Sequence, residues 1–415
     1  MRDRLVVRRS NDLSLLSTYT CPYTIQDVQW NPHSDYLLTA SYKEGKVDVW
    51  SLQDEKWHTN IDESYVGLSS ARWCKDGIHV LTVAEFQLRL TIWSLLTGEI
   101  YYIQHPKFKD RGFSYSPDHR FVAVAERQEA KDAVGIYSTN PWCLQKQFTV
   151  DTIDMENLAW SPDGRYIVVW DLGVDYKLFV YNPLGVLKRS YSAYSDGLGI
   201  KTMRWDPQAK FLAVGSYDQK VRLLNTYDWT PFTTFRHRTS LTRPDIKIYE
   251  EVDISNEINE PTHQFSTKKL LRRFELQDQC LQVPTTLPDG NKPHPKLGIG
   301  ILDFDQSGHY LCTRNDNMPR CLWIWDMKRL KLHSFIKLLD PVRTIRWNPA
   351  YPHLLAFSCT ENCVYLWRPD RGCEFYELPA ANFQLLSFKW NPNGQSLVFW
   401  DKERFNLGFL NRLAQ

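Results

Sequence analysis

The sequence predicts an all-β fold, a β-propeller of about eight blades with four antiparallel strands each, on three observations. An aromatic residue followed by a Pro/Asp/Gly turn and an apolar run recurs eight times. The copies stand at a near-constant interval, and each carries the same order of strand-like segments.

The aromatic anchors are Trp30, Trp73, Tyr115, Trp160, Trp205, Phe304, Trp347 and Trp390, in phrases such as Trp160-Ser-Pro-Asp-Gly and Trp390-Asn-Pro-Asn-Gly. Their spacings are 43, 42, 45, 45, 99, 43 and 43 residues. Six of the seven match the period of one WD40-type blade, and the exception is one period plus an insertion of about 55 residues. Within a unit, Pro presets φ for the turn, and Asp and Gly suit the positions after it, so the chain reverses between two strands.

The run after the turn, as in Phe211-Leu-Ala-Val-Gly, is apolar at nearly every position and predicts a strand covered on both faces. About 20 residues after each anchor comes an alternating segment, as in Lys46-Val-Asp-Val-Trp50 or Cys321-Leu-Trp-Ile-Trp325. Its alternation predicts a half-exposed third strand ending in an aromatic wedge. A weaker fourth strand starts near Trp57, Trp142 and Trp229. Ten of the 16 tryptophans fall on the anchor and wedge positions, so these rings are read as packing between blades.

The repeat sets the boundaries. Residues 1–20 begin in mid-repeat and supply a third and fourth strand, with Leu13 to Thr20 expected to close the ring as the outer strand of the last blade. Arg4 to Ser10 is then surplus, hinting at a longer form with a whole additional unit, and leaves seven to nine blades compatible. Blades 1–5 occupy 21–238, blades 6–8 occupy 297–415, and 239–296 form the insertion. The insertion carries an acidic stretch (Glu250 to Glu260), a basic one (Lys268 to Arg273) and a Pro-rich exit, which predicts an irregular, partly disordered segment with solvated charged faces.

Lys and Arg total 50 against 48 Asp and Glu, so nothing in the charge favours nucleic acid or an anionic membrane as partner. Nine scattered cysteines form no Cys-x-x-Cys, there is no Asn-x-Ser/Thr sequon, and Met1 to Arg9 lacks an apolar signal core. These features predict reduced thiols in the cytoplasm or nucleus. No nucleophile elbow, His-Glu-x-x-His, P-loop or dinucleotide fingerprint is present, and no His/Cys cluster has ligand spacing, so no cofactor, metal or catalytic residue is expected.

Acidic residues do recur just after the second strand: Glu44, Glu85, Glu126, Asp171, Asp218, Asp316, Glu361 and Asp401. In a propeller these loops line one mouth, where they suit a basic partner segment. For Asp218 and Asp316, capping of the hairpin turn is an equal reading. Partner binding is expected at Glu85-Phe86, Glu126-Arg127, Asp171, Tyr217-Asp218 and Arg314-Asn315-Asp316.

Several phrases outside the repeat positions carry a further resemblance. They include Glu55-Lys-Trp-His, Arg89-Leu-Thr-Ile-Trp-Ser-Leu, Tyr191-Ser-Ala-Tyr, Leu198-Gly-Ile-Lys, Ala213-Val-Gly-Ser-Tyr-Asp, Pro295-Lys-Leu-Gly-Ile-Gly and Thr313-Arg-Asn-Asp-Asn. The chain resembles the WD-repeat-eight-type proteins of centrosomes, centriolar satellites and spindle poles. It departs from common WD repeats in that only Trp325-Asp326 keeps the WD dipeptide at the end of a third strand and no Gly-His stands at a blade junction. The resemblance implies a non-catalytic scaffold that binds a coiled-coil adaptor, γ-tubulin complex components and a minus-end-directed kinesin. It implies roles in microtubule anchoring, mitotic spindle assembly and ciliogenesis. A ribosome-associated propeller of the translation-initiation type is the alternative.

Overall fold

A computed structural model describes residues 3–9, 12–54, 56–87, 89–241, 246–254, 272–277, 280–289, 291, 295–359, 362–378 and 383–410. The fold is an eight-bladed WD40-type β-propeller of antiparallel sheets. Blades 1–8 span 27–62, 68–104, 113–149, 155–191, 200–236, 299–337, 344–377 and 387–409. The chain divides into two compact units, one of residues 1–172 and 177–190, the other of 173–176 and 191–415.

The turn grammar works as read. In blade 4, Ser161 Oγ donates to Asp163 at 2.6 Å, Asp163 accepts the Arg165 N–H at 3.1 Å, and Ser161 Oγ accepts the Tyr166 N–H at 2.9 Å. Gly164 follows at φ +76°, where a side chain would be strained. The next strand, Ile167–Asp171, is buried at every position.

Third strands differ from expectation. Lys46–Ser51, Leu178–Tyr181 and Cys321–Asp326 are almost wholly buried, and solvent falls instead on fourth strands such as His58–Asp62 and Ile100–Gln104. The polar residues behind the alternating pattern are satisfied inside: Asp48 accepts from the Asn60 amide at 2.5 Å and from the Tyr23 hydroxyl. Alternation here marks internal hydrogen bonding, not a wet face.

The third-strand wedge reaches toward the preceding junction. In blade 2 the Trp93 indole N–H donates to Thr82 Oγ1 at 3.0 Å, and Thr82 donates to Glu63 at 3.0 Å. In blade 6 the Trp325 N–H donates to Thr313 at 2.9 Å, and Thr313 lies 2.8 Å from His237 Nε2. His237 Nδ1 lies 3.1 Å from the Gln219 carbonyl, which can only accept, so Nδ1 carries the proton and Nε2 accepts from Thr313.

Anchors add a second inter-blade bond. The indole N–H groups of Trp73, Trp347 and Trp390 donate to the carbonyls of Gln29, Asp303 and Arg346, each the residue before the previous anchor, at 3.3, 3.1 and 3.1 Å. Trp160 and Phe304 are buried. Trp30 departs from the packing expectation at 53% exposed, because within its unit no four-stranded blade precedes blade 1.

The N-terminal strands also differ. Leu15–Thr20 pairs with Arg4–Arg8 as a hairpin (Arg4↔Thr20), not with blade 8, so the expected use of this strand as the outer strand of the last blade is corrected. Blade 8 has three strands, with Phe405–Phe409 at its edge. The reason is local: the surplus third strand lies next in sequence to the fourth, and Val7 and Tyr19 pack on Leu37 of blade 1 while the Tyr19 hydroxyl donates to the Ser51 carbonyl at 2.8 Å.

Within the described insertion, Lys247–Asp253 and Arg272–Gln277 are strands, which corrects the irregular reading for those segments, whereas 283–289 form no strand. Lys247–Asp253 pairs in parallel with Lys331–Lys337 of blade 6 and antiparallel with Arg272–Gln277, giving a six-stranded sheet. Residues 255–260 of the acidic stretch and 268–271 of the basic one lie outside the described residues.

Candidate partner-binding surface

The acidic positions share a place in the repeat but not a role. Glu85 and Phe86 form a single 3-10 turn after the second strand of blade 2, with Phe86 at φ +60° and 89% exposed. Phenylalanine has no local compensation for this left-handed backbone, which marks strain of the kind held at functional turns. The Glu85 N–H donates to the Gly67 carbonyl at 3.1 Å, joining this turn to the loop that carries the fully exposed Tyr65. Two solvent-facing aromatics thus stand on adjoining loops, one in the connector from blade 1 to blade 2 and one within blade 2.

Glu126 is turned inward. It is 2% exposed and accepts the Tyr137 hydroxyl at 2.6 Å and the Gln147 amide at 2.5 Å, and burial pushes its carboxyl up from the ordinary range. Its neighbour Arg127 points elsewhere, donating to Asp154 at 2.6 Å beside Lys107, which bridges Asp132 and Asp154 at 2.9 and 2.6 Å. The expected Glu126-Arg127 pair on a mouth surface is therefore separated. Asp171, also buried, accepts the N–H groups of Ile153 and Asp154 at 2.9 and 3.1 Å and works as a turn cap.

Asp218 takes the turn-capping role that its sequence allowed and pairs with an arginine of its own blade. It caps the turn through the Lys220 N–H at 3.3 Å and grips Arg222 in two bonds of 2.5 and 3.1 Å. Burial alone would raise this carboxyl, but Arg222 and the Ser216 hydroxyl hold it below the ordinary value. The Lys201 ammonium sits 4.9 Å from the Tyr217 ring centre and donates to Asp316 at 2.7 Å, and Arg314 donates to the same carboxylate at 2.6 Å. Asn315 is fully buried and donates, with Asn317, to the Gln219 amide oxygen at 3.0 Å. The Arg314-Asn315-Asp316 segment is thus brought together with Tyr217 and Asp218 of blade 5, as one seam between blades 5 and 6.

Glu44 is exposed, Asp401 caps its own turn through the N–H groups of Glu403 and Arg404 at 2.6 and 2.5 Å, and Glu361 lies outside the described residues. Among the described residues no group of three or more His, Cys, Asp or Glu is placed to hold a metal ion.

Two features escaped sequence reasoning. His237 holds the junction before blade 6 without a Gly beside it, so no dipeptide flagged it. Glu251, in the acidic stretch expected to be solvated, is buried: it takes Arg272 at 3.1 Å, the Tyr365 hydroxyl at 2.7 Å and the Leu339 N–H at 2.9 Å, with Arg272 also 3.2 Å from Asp340. A Lys-Ile-Tyr-Glu-Glu-Val-Asp run with Ile248 and Tyr249 facing inward was the available signal.

Comparison with known proteins fits this architecture. The WD domain, G-beta repeat model matches residues 13–51 and 185–225, each running from a fourth strand through the next three. The mouse WD repeat-containing protein WRAP73 is 37% identical over 416 residues, covering 98% of this chain and 90% of that protein. The chain belongs to the WRAP73 family of WD-repeat proteins. An uncharacterized WD repeat-containing protein of Schizosaccharomyces pombe is 25% identical over 75% of the chain and 62% of its own length. The C-terminal WD40 domain of Sif2 superposes with a TM-score of 0.55 at 12% identity, covering 93% of this chain and 96% of that one, and shows the fold alone. Membership of the WRAP73 family gives the eight-bladed frame the role of a WD-repeat scaffold for protein interactions, and the buried or bonded carboxylates just described hold that frame through turn caps and internal pairs.

Proposed function

We propose that this WRAP73-family chain is a non-catalytic scaffold of the centrosome or spindle pole. In this reading it binds a coiled-coil adaptor and helps anchor microtubule minus ends together with γ-tubulin complexes and a minus-end-directed kinesin, in support of spindle assembly and cilium formation. The observation that carries it is identity to WRAP73 along nearly the whole chain, insertion-flanking segments included. The exposed Phe86 of blade 2 and Tyr65 of the connector before it supply the contact surface, since large exposed aromatics are the residues that anchor protein interfaces. Proximity labelling of the full chain in dividing cells tests this. Enrichment of centrosomal coiled-coil and γ-tubulin components is expected, and enrichment of ribosomal subunits in their place would overturn it.

A further inference from the structure

Blades 2 and 3 enclose a cavity of about 320 Å³ lined by Tyr101, Tyr102, Tyr137, Trp142, Leu144 and Glu126. The Glu126 carboxylate lies against Gly135, where a Cβ would come within 2.2 Å of its Oε1, so the third strand of blade 3 is hollowed to seat it. Its two bonds come from neutral donors, Tyr137 and Gln147, and each carboxylate oxygen retains a free lone pair. Among the described residues no ion pair includes Glu126, whereas the carboxylates Asp132 and Asp154 of the same unit meet Lys107 and Arg127. The Trp142 indole N–H, 5% exposed, also has no hydrogen-bond partner. The His105 imidazole of the same cavity wall eases the charge on Glu126 without pairing with it, and a buried carboxylate with no hydrogen-bonded counter-ion costs stability unless a cation is supplied to it.

We propose that this cavity is a docking site for an arginine side chain carried by a protein partner, with Glu126 receiving the guanidinium. A guanidinium presents a planar fork of donors to a carboxylate and offers flat faces to aromatic rings. The cavity wall supplies both, one seated carboxylate and the rings of Tyr101, Tyr137 and Trp142, while Tyr102 already carries the Arg89 guanidinium 4.8 Å from its ring centre. Leu144, half exposed at the rim, covers the methylene stem. The proposal deepens the scaffold reading, on which it rests, by naming the chemistry of one contact.

The test uses the full chain and N-acetyl-arginine amide as probe, followed by calorimetry and saturation-transfer NMR, with N-acetyl-norleucine amide as the neutral control. Saturable binding of the arginine probe is expected, with norleucine at least about tenfold weaker. Glu126→Gln, which keeps the shape and the Tyr137 bond, and Leu144→Trp, which blocks the rim without touching Glu126, are each expected to weaken it by about tenfold or more. Absence of binding to the wild type, equal binding to Glu126→Gln, or equal binding of norleucine overturns the proposal. Because the probe is not a protein, failure here is separate from failure of the proximity labelling.

Discussion

At the scale of single residues, position in the repeat did not decide role; burial did. Phe86 follows the second strand of blade 2 and Glu126 lies within that of blade 3, yet one is 89% exposed on a left-handed turn and the other 2% exposed beneath two neutral donors. Phe86→Ala is expected to reduce capture of partners in a pull-down several-fold while leaving the melting temperature within a degree or two, since the ring packs on nothing. A fall in melting temperature that parallels the lost capture would show a structural residue instead. His237 gives a pH prediction. Burial pushes its imidazole down to about 4, below the ordinary 6.5, so the folded chain holds it neutral. The stability this contributes is complete above pH 6.5 and drains as pH falls toward 4, by on the order of 3 kcal/mol from this one group. Urea unfolding between pH 7 and 4.5 should show that slope, and His237→Gln should flatten it; an unchanged slope in the variant would place the titrating group elsewhere.

At the scale of elements, the insertion strand Lys247–Asp253 extends blade 6 by parallel pairing and is locked by Glu251. Glu251→Ala leaves Arg272 buried and partly unpaired, at a cost of about 3–5 kcal/mol, and should raise protease sensitivity near 246–254 first. Glu251→Gln keeps the side-chain volume and one acceptor oxygen, enough for either the Tyr365 or the Leu339 bond but not both, and should lose less than Glu251→Ala. Equal stability of both variants to the wild type would show that the strand is held by its ladder alone. Charge composition had suggested a solvated stretch because runs rich in Glu and Asp are usually exposed. Here the next blade closes over the strand, so the same charges become an internal network.

At the scale of the whole molecule, near-balanced charge gives no long-range attraction to polyanions, so duplex DNA at physiological salt is expected to leave the full chain unbound in a mobility-shift assay. A shift at sub-micromolar protein would contradict the protein-docking role. The eight-bladed propeller and its turns were legible in the sequence because they are local: a turn residue presets φ, and an apolar run marks a central strand wherever it occurs. Trp325 announced a wedge by its spacing alone. What tertiary structure decided were pairings between segments far apart in the chain. These are the choice of Leu15–Thr20 to join its own neighbour, the joining of the insertion to blade 6, and the inward turn of Glu126. Those depend on which surfaces are left uncovered once neighbouring blades have packed, a quantity no local pattern encodes.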